Sequence, residues 1–95
     1  MLKVVAKCTL APGIMEKAAP LYRELIEKTR RENGCIDYGF FIDPADETKG
    51  CFIETWESDE ALGAHVKSEH FTRIFPQLRE LGAAMGEISR LKALE

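Results

Sequence analysis

CFIETWESDEALGAHVKSEHF, residues 51–71, carries the only tryptophan and both histidines of the chain. Read with period two, Phe52, Glu54 and Trp56 fall on one face of a strand, and Ser58 followed by Asp59 and Glu60 then starts a helix. Ser58 can cap that helix, which carries Leu62, His65 and Val66 on roughly one side, and Ser68 can cap the next. A strand over 51–57 that feeds two short helices places these side chains on one wall of a small-molecule pocket. The rest of the chain then supplies scaffold.

Upstream, Cys35–Asp43 reads as a strand with Ile36, Tyr38, Phe40 and Ile42 on one face and Asp37, Gly39 and Phe41 on the other. The polar, turn-rich residues 43–50 between the two strands read as a hairpin loop. Before them, Ile14, Ala18, Leu21, Tyr22, Leu25, Ile26 and Thr29 follow helical spacing, which predicts an amphipathic helix that ends at Asn33-Gly34. Pro20 lies inside it and predicts a kink or an irregular first turn. The first strand, Leu2–Leu10, sets Leu2, Val4, Ala6, Cys8 and Leu10 on its core face and ends at Ala11-Pro12-Gly13. Downstream, Phe71, Ile74, Phe75 and Leu78 make a helical stripe that Pro76 is expected to bend or interrupt. Residues 82–86 read as a small-residue connector and 87–94 as a last strand.

The order β-α-β-β-α-α-β predicts an α+β, ferredoxin-like (split βαβ) fold, a four-stranded antiparallel sheet with helices on one face. Residues 1–95 are read as one domain. Val5, Phe41 and Ile53 fall on the opposite sheet face, and leaving them in water would expose apolar area. Pairing two such faces in a homodimer removes that exposure.

Composition narrows the function. With 45% hydrophobic and 31% charged residues, the chain is too apolar for disorder and too short for two cores. A net charge of −3 argues against nucleic-acid binding, and Lys28, Arg30 and Arg31 cluster at a helix end, where cations complement the dipole. Cys8, Cys35 and Cys51 are odd in number and lack CxxC spacing, which fits reduced thiols that pack as small hydrophobes. The N-terminal residues show no apolar signal core, and no run of about 18 apolar residues occurs. A cytoplasmic location without membrane partners is expected. Neither a glycine-rich phosphate loop nor a dinucleotide fingerprint is present, and the two histidines at i and i+5 lack the further ligands of a metal motif.

Together the residues carry a resemblance. Gly34-Cys35 opening the second strand, Glu54-x-Trp56-x-Ser58 leaving the third, then Ala61-Leu62-x-x-His65 and Ser68-x-His70-Phe71, resemble the antibiotic biosynthesis monooxygenase family, and within it small quinol monooxygenase-like members. The resemblance implies a dimeric α+β barrel. It also implies oxidation of a quinol or polycyclic phenol by molecular oxygen without metal, flavin or other cofactor. Where the haem-degrading branch has an Asn, a Trp and a haem-ligating His, this chain aligns Ala6, His65 and Phe75, which argues against haem chemistry.

Such chemistry needs a base in a dry, aromatic-lined pocket. His65 is the leading base, since an imidazole titrates near neutral pH; a structural role, satisfied by a backbone carbonyl, is the competing reading. Glu54 either orients a histidine or accepts a substrate proton if its face lines the cavity, or is a surface or interface charge if that face points outward. Trp56 offers a flat surface and an indole N–H to an aromatic substrate, and Tyr38 a phenol; each equally suits core packing. His70, near a helix start, would cover the pocket mouth or support the helix junction. Proton abstraction without oxygen chemistry, by an isomerase, and a non-enzymatic aromatic-binding dimer are the alternatives.

Overall fold

The strand Leu2–Leu10 (β1) leads into helix Met15–Arg30 (α1), the hairpin Cys35–Asp43 (β2) and Asp46–Trp56 (β3), helices Asp59–Val66 (α2) and Glu69–Leu81 (α3), and strand Ala83–Leu91 (β4). The computed structural model describes residues 1–94. The four strands form one antiparallel sheet in the order β2-β3-β1-β4, so the first and third strands are central. This is the α+β, ferredoxin-like arrangement expected from the element order.

Alternation decides which side of the sheet is dry. Val4 pairs with Glu54 and Ala6 with Phe52, and these residues, with Cys8, Leu10 and Trp56, all turn toward the helices and are buried. From α1, Ala18, Tyr22 and Leu25 cover that face; from α3, Ile74 and Leu78 do. Tyr22 stacks on Phe40 with ring centroids 4.0 Å apart, and Phe52 packs at 6.0 Å or less against Tyr22, Tyr38, Phe40 and Phe75. Each such aromatic or aliphatic side chain stabilises the fold by about 1.5–3 kcal/mol through burial. On the other side of the sheet Phe41 is 55% exposed, Ile53 36% and Leu91 50%, with Val5 half-buried among them.

Both serine caps form: Ser58 Oγ accepts from the Ala61 N–H and Ser68 Oγ from the Phe71 N–H. Gly34, at φ 88°, turns the chain from α1 into β2, and a Cβ there would lie 2.5 Å from that of Ala61. Its carbonyl also accepts the Glu57 N–H at 2.8 Å. Glycine is therefore required twice over, by the backbone and by the approach of α2.

Three local expectations are corrected and a fourth is narrowed. β3 starts at Asp46 rather than 51, leaving a tight turn in which Asp43 Oδ1 accepts the Ala45 N–H; the polar residues 46–50 mark solvent contact, not an end of pairing. β4 starts at Ala83, directly after the left-handed Gly82, because pairing to β1 draws the small residues 83–86 into the sheet. Ile36 does not share the Tyr38 face. A bulge gives β2 one extra residue between Cys35, opposite Trp56, and Asp37, opposite Thr55, which leaves Ile36 49% exposed. Finally, of the bend or interruption expected at Pro76, the interruption does not occur: α3 continues through the proline, which sits on its exposed side, where solvent can reach the carbonyl that it leaves unpaired.

Candidate functional site

Between the inner face of the sheet and the α2–α3 pair lies a cavity of about 210 Å³. Val4, Ala6, Phe52, Leu62, Phe71 and Phe75 make its walls apolar, and Tyr38, Glu54, His65 and Arg90 are the polar side chains that reach it. Val66, Ile88 and Arg90 are exposed where they border the cavity, so it opens to solvent between α2 and β4. An ion pair from Arg90 to Asp59 spans that edge.

The parity of β3 settles where Glu54 points: it is only 5% exposed and faces the cavity. Its Oε1 accepts the indole N–H of Trp56 at 2.8 Å. Burial pushes the Glu54 carboxyl above its ordinary range, the Trp56 N–H offsets part of this by favouring the anion, and the negative charge of Glu32 adds to the rise. Burial likewise pushes the Tyr38 phenol far up, so at neutral pH it is a hydrogen-bond donor. Trp56 is fully buried and does not line the cavity; it acts on the site through Glu54 and by packing 4.8 Å from the His65 ring.

His65, 2% exposed, closes the helical side of the cavity. It packs edge-on against Tyr38 at 5.3 Å and Phe71 at 5.0 Å. Its Nδ1 stands 2.7 Å from Glu32 Oε2, while Nε2 has no hydrogen-bond partner among the described residues. Burial pulls the imidazole below its usual range, Glu32 draws it partly back up, and His70 lowers it again.

His70 lies outside the cavity lining. Its Nε2 reaches the same Glu32 oxygen at 2.7 Å and Ser68 Oγ at 3.2 Å, so it sits behind His65 at the junction of α2 and α3 rather than over the cavity mouth. All five residues singled out in the sequence thus gather in one cluster, with His65, Glu54 and Tyr38 on the cavity and Trp56 and His70 behind it.

Glu32 is the member that sequence reading missed. It lies just beyond α1, whose last turn is tied to β2 by a bond from Arg30 Nε to the Tyr38 carbonyl. Its histidine partners are 33 and 38 residues away. The available signal was electrostatic: an acidic residue past the negative end of a helix, in a run of basic ones, contradicts the dipole and calls for a partner. Glu32, His65 and His70 also form a group of potential metal donors lying within 4.8 Å of one another. Two ligands on a tetrahedral ion with bonds of about 2.1 Å stand roughly 3.4 Å apart. The 2.7 Å contacts of Glu32 have the spacing of hydrogen bonds instead.

The three cysteines are unpaired. Burial pushes the Cys8 and Cys35 thiols up to about 11, which keeps them protonated and poorly nucleophilic. Among the described residues, no helix is long and apolar enough to cross a membrane.

Comparison with known proteins agrees with this architecture. A crystal structure of an antibiotic biosynthesis monooxygenase is 37% identical, with a TM-score of 0.90 and full coverage of both chains. A Pseudomonas aeruginosa protein, PA3566, is 34% identical with a TM-score of 0.87, over 99% of this chain and 94% of its own. An uncharacterised Synechocystis sp. protein, sll1783, is 29% identical over 97% of this chain, which spans only 63% of that relative's length. The family model for antibiotic biosynthesis monooxygenases matches residues 1–77, and the chain belongs to that family.

Proposed function

We propose that the protein is a cofactor-independent monooxygenase that oxidises a quinol or a small phenol with molecular oxygen, His65 serving as the base. The observation that carries this reading is the unpartnered Nε2 of a buried histidine on the wall of an otherwise largely apolar cavity. A substrate hydroxyl that transfers its proton to Nε2 becomes an electron-rich oxyanion able to reduce oxygen. For a hydroquinone, one oxygen atom enters the ring and the other leaves as water; the hydroxyquinone formed has lost the four electrons that oxygen gains. Tyr38 donates to a substrate oxygen, and Glu54, held by Trp56, orients a second hydroxyl.

Cavity volume supports a small substrate. A cavity of about 150 Å³ holds benzene, whereas drug-sized ligands occupy about 300 Å³ or more. At about 210 Å³, the site suits one or two rings better than a larger polycycle. The apolar outer sheet face, with Phe41, Ile53 and Leu91 exposed, supports a homodimer formed through that face.

Oxygen uptake with a two-ring hydroquinone, measured above the autoxidation background, tests the reading. Turnover should fall about 10²–10⁴-fold in His65→Ala, the usual range for loss of a general base. Absence of excess uptake would refute it. Conversion that continues under nitrogen would point to an isomerase, and binding without conversion to a non-enzymatic aromatic-binding protein.

A further inference from the structure

The hydrogen bonds around Glu32 call for a proton on one nitrogen of each histidine. Ser68 Oγ spends its single proton on the His65 carbonyl at 2.7 Å, so toward His70 it can only accept. The carboxylate of Glu32 also only accepts. His70 Nε2 therefore carries a proton shared between two acceptors, and His65 Nδ1, whose one partner is Glu32, carries a proton too. A neutral imidazole protonated on Nδ1 has its lone pair on Nε2, at the far edge of the ring.

We propose that Glu32 is a positioning residue for His65: it holds the ring with the proton on Nδ1 and so presents a basic Nε2 to the cavity, while His70 holds Glu32 in place. This rests on the reading of His65 as the base. When a substrate O–H bond breaks and the proton joins Nε2, the imidazolium formed keeps its Nδ1–H on the Glu32 carboxylate, which stabilises the charge where it arises. His70 plays no part in the transfer. Its ring braces the same carboxylate oxygen that His65 meets, 6.2 Å centroid to centroid from His65.

The titratable and charged groups around His65 are Glu32 beyond α1, Tyr38 on β2, Glu54 on β3, His70 on α3 and Arg90 on β4. Of these, Glu32 alone hydrogen-bonds the ring. Glu32→Gln retains an acceptor for Nδ1–H and removes the charge, whereas Glu32→Ala removes both.

Nitrogen-15 NMR of the imidazoles, recorded on the ligand-free protein, reads the tautomer directly. The expected result is an Nδ1-protonated His65 in the native protein and in Glu32→Gln, and a shift toward the Nε2-protonated form in Glu32→Ala. With the hydroquinone as substrate, Glu32→Gln should move the acid limb of the kcat/KM profile to lower pH, because the anion that favours imidazolium is gone. Glu32→Ala should lose roughly 10- to 100-fold in kcat/KM. If Glu32→Ala does not fold, His70→Ala, which leaves the carboxylate unbraced, should show a partial form of the same tautomer shift. An Nε2-protonated His65 in the native protein, or a tautomer indifferent to residue 32, overturns the proposal. So does stoichiometric Zn²⁺ binding abolished by Glu32→Gln, which would make the cluster a metal centre. Because the tautomer is read without substrate, it can hold while oxygen uptake fails, and the two ideas fall separately.

Discussion

Replacing Trp56 by Phe should destabilise the protein by an amount that depends on pH, and the structure fixes the direction. The substitution removes the N–H that Glu54 Oε1 accepts at 2.8 Å and leaves part of a fully buried ring site empty. Lost burial and the residual cavity cost about 1–2 kcal/mol at any pH. The lost hydrogen bond adds about 1 kcal/mol while Glu54 is protonated and about 1.5–3 kcal/mol once it is charged. Glu54 is an acid whose folded pKa lies above its unfolded value of about 4.3, so the native state holds the proton longer, and stability falls as pH rises through that window. Without the Trp56 N–H the folded pKa rises further, and the gap between native and variant opens as pH climbs. Urea unfolding should therefore give a loss of about 2–3 kcal/mol at pH 4 and about 1 kcal/mol more at pH 8. In a Glu54→Gln background the same substitution should show no such pH dependence. A loss from Trp56→Phe that stays flat between pH 4 and pH 8 would refute the claim that the indole supports a buried carboxylate.

Two further substitutions probe the frame. Gly34→Ala should lower stability by about 1–3 kcal/mol from the left-handed backbone and a similar amount from collision with Ala61; adding Ala61→Gly should recover only the second part, and an unchanged denaturation midpoint would contradict the close approach of α2. If the proposed homodimer forms through the exposed sheet face, Phe41→Glu should weaken self-association ~100-fold or more, since a two-fold interface there loses about 1.5–3 kcal/mol of burial twice over. Sedimentation at several concentrations measures this, and a dimer untouched by both Phe41→Glu and Ile53→Glu would place the interface elsewhere.

Where one rule governs a segment, the sequence is readable. Phe52, Glu54 and Trp56 alternate on a central strand whose two faces differ in polarity, and the serines at 58 and 68 have one obvious use; both features appear in the structure. Ile36 misled because a bulge changes parity without a local marker, and 83–86 because small residues are poor strand formers until a neighbouring strand provides the hydrogen bonds. The site divides in the same way. His65, Glu54 and Tyr38 share the cavity because strand parity and helical phase are local properties. Glu32 joins them only through a tertiary contact, and Trp56 and His70 moved behind the cavity because depth within a core is not encoded in spacing.

The cavity is bordered on one side by β4, a strand bonded to a single neighbour, with a bulge opposite Lys7 and the side chains of Met85, Ile88 and Arg90 on the cavity wall. Apart from Val66, which shares the exposed rim, its other walls belong to the packed interior, where a change of size disturbs the whole fold. Substitutions at 85, 88 and 90 are therefore the inexpensive ones: they can reshape what the cavity admits while His65 and its carboxylate brace stay as they are. Divergence toward new substrates in proteins built this way is expected to accumulate first along that border strand.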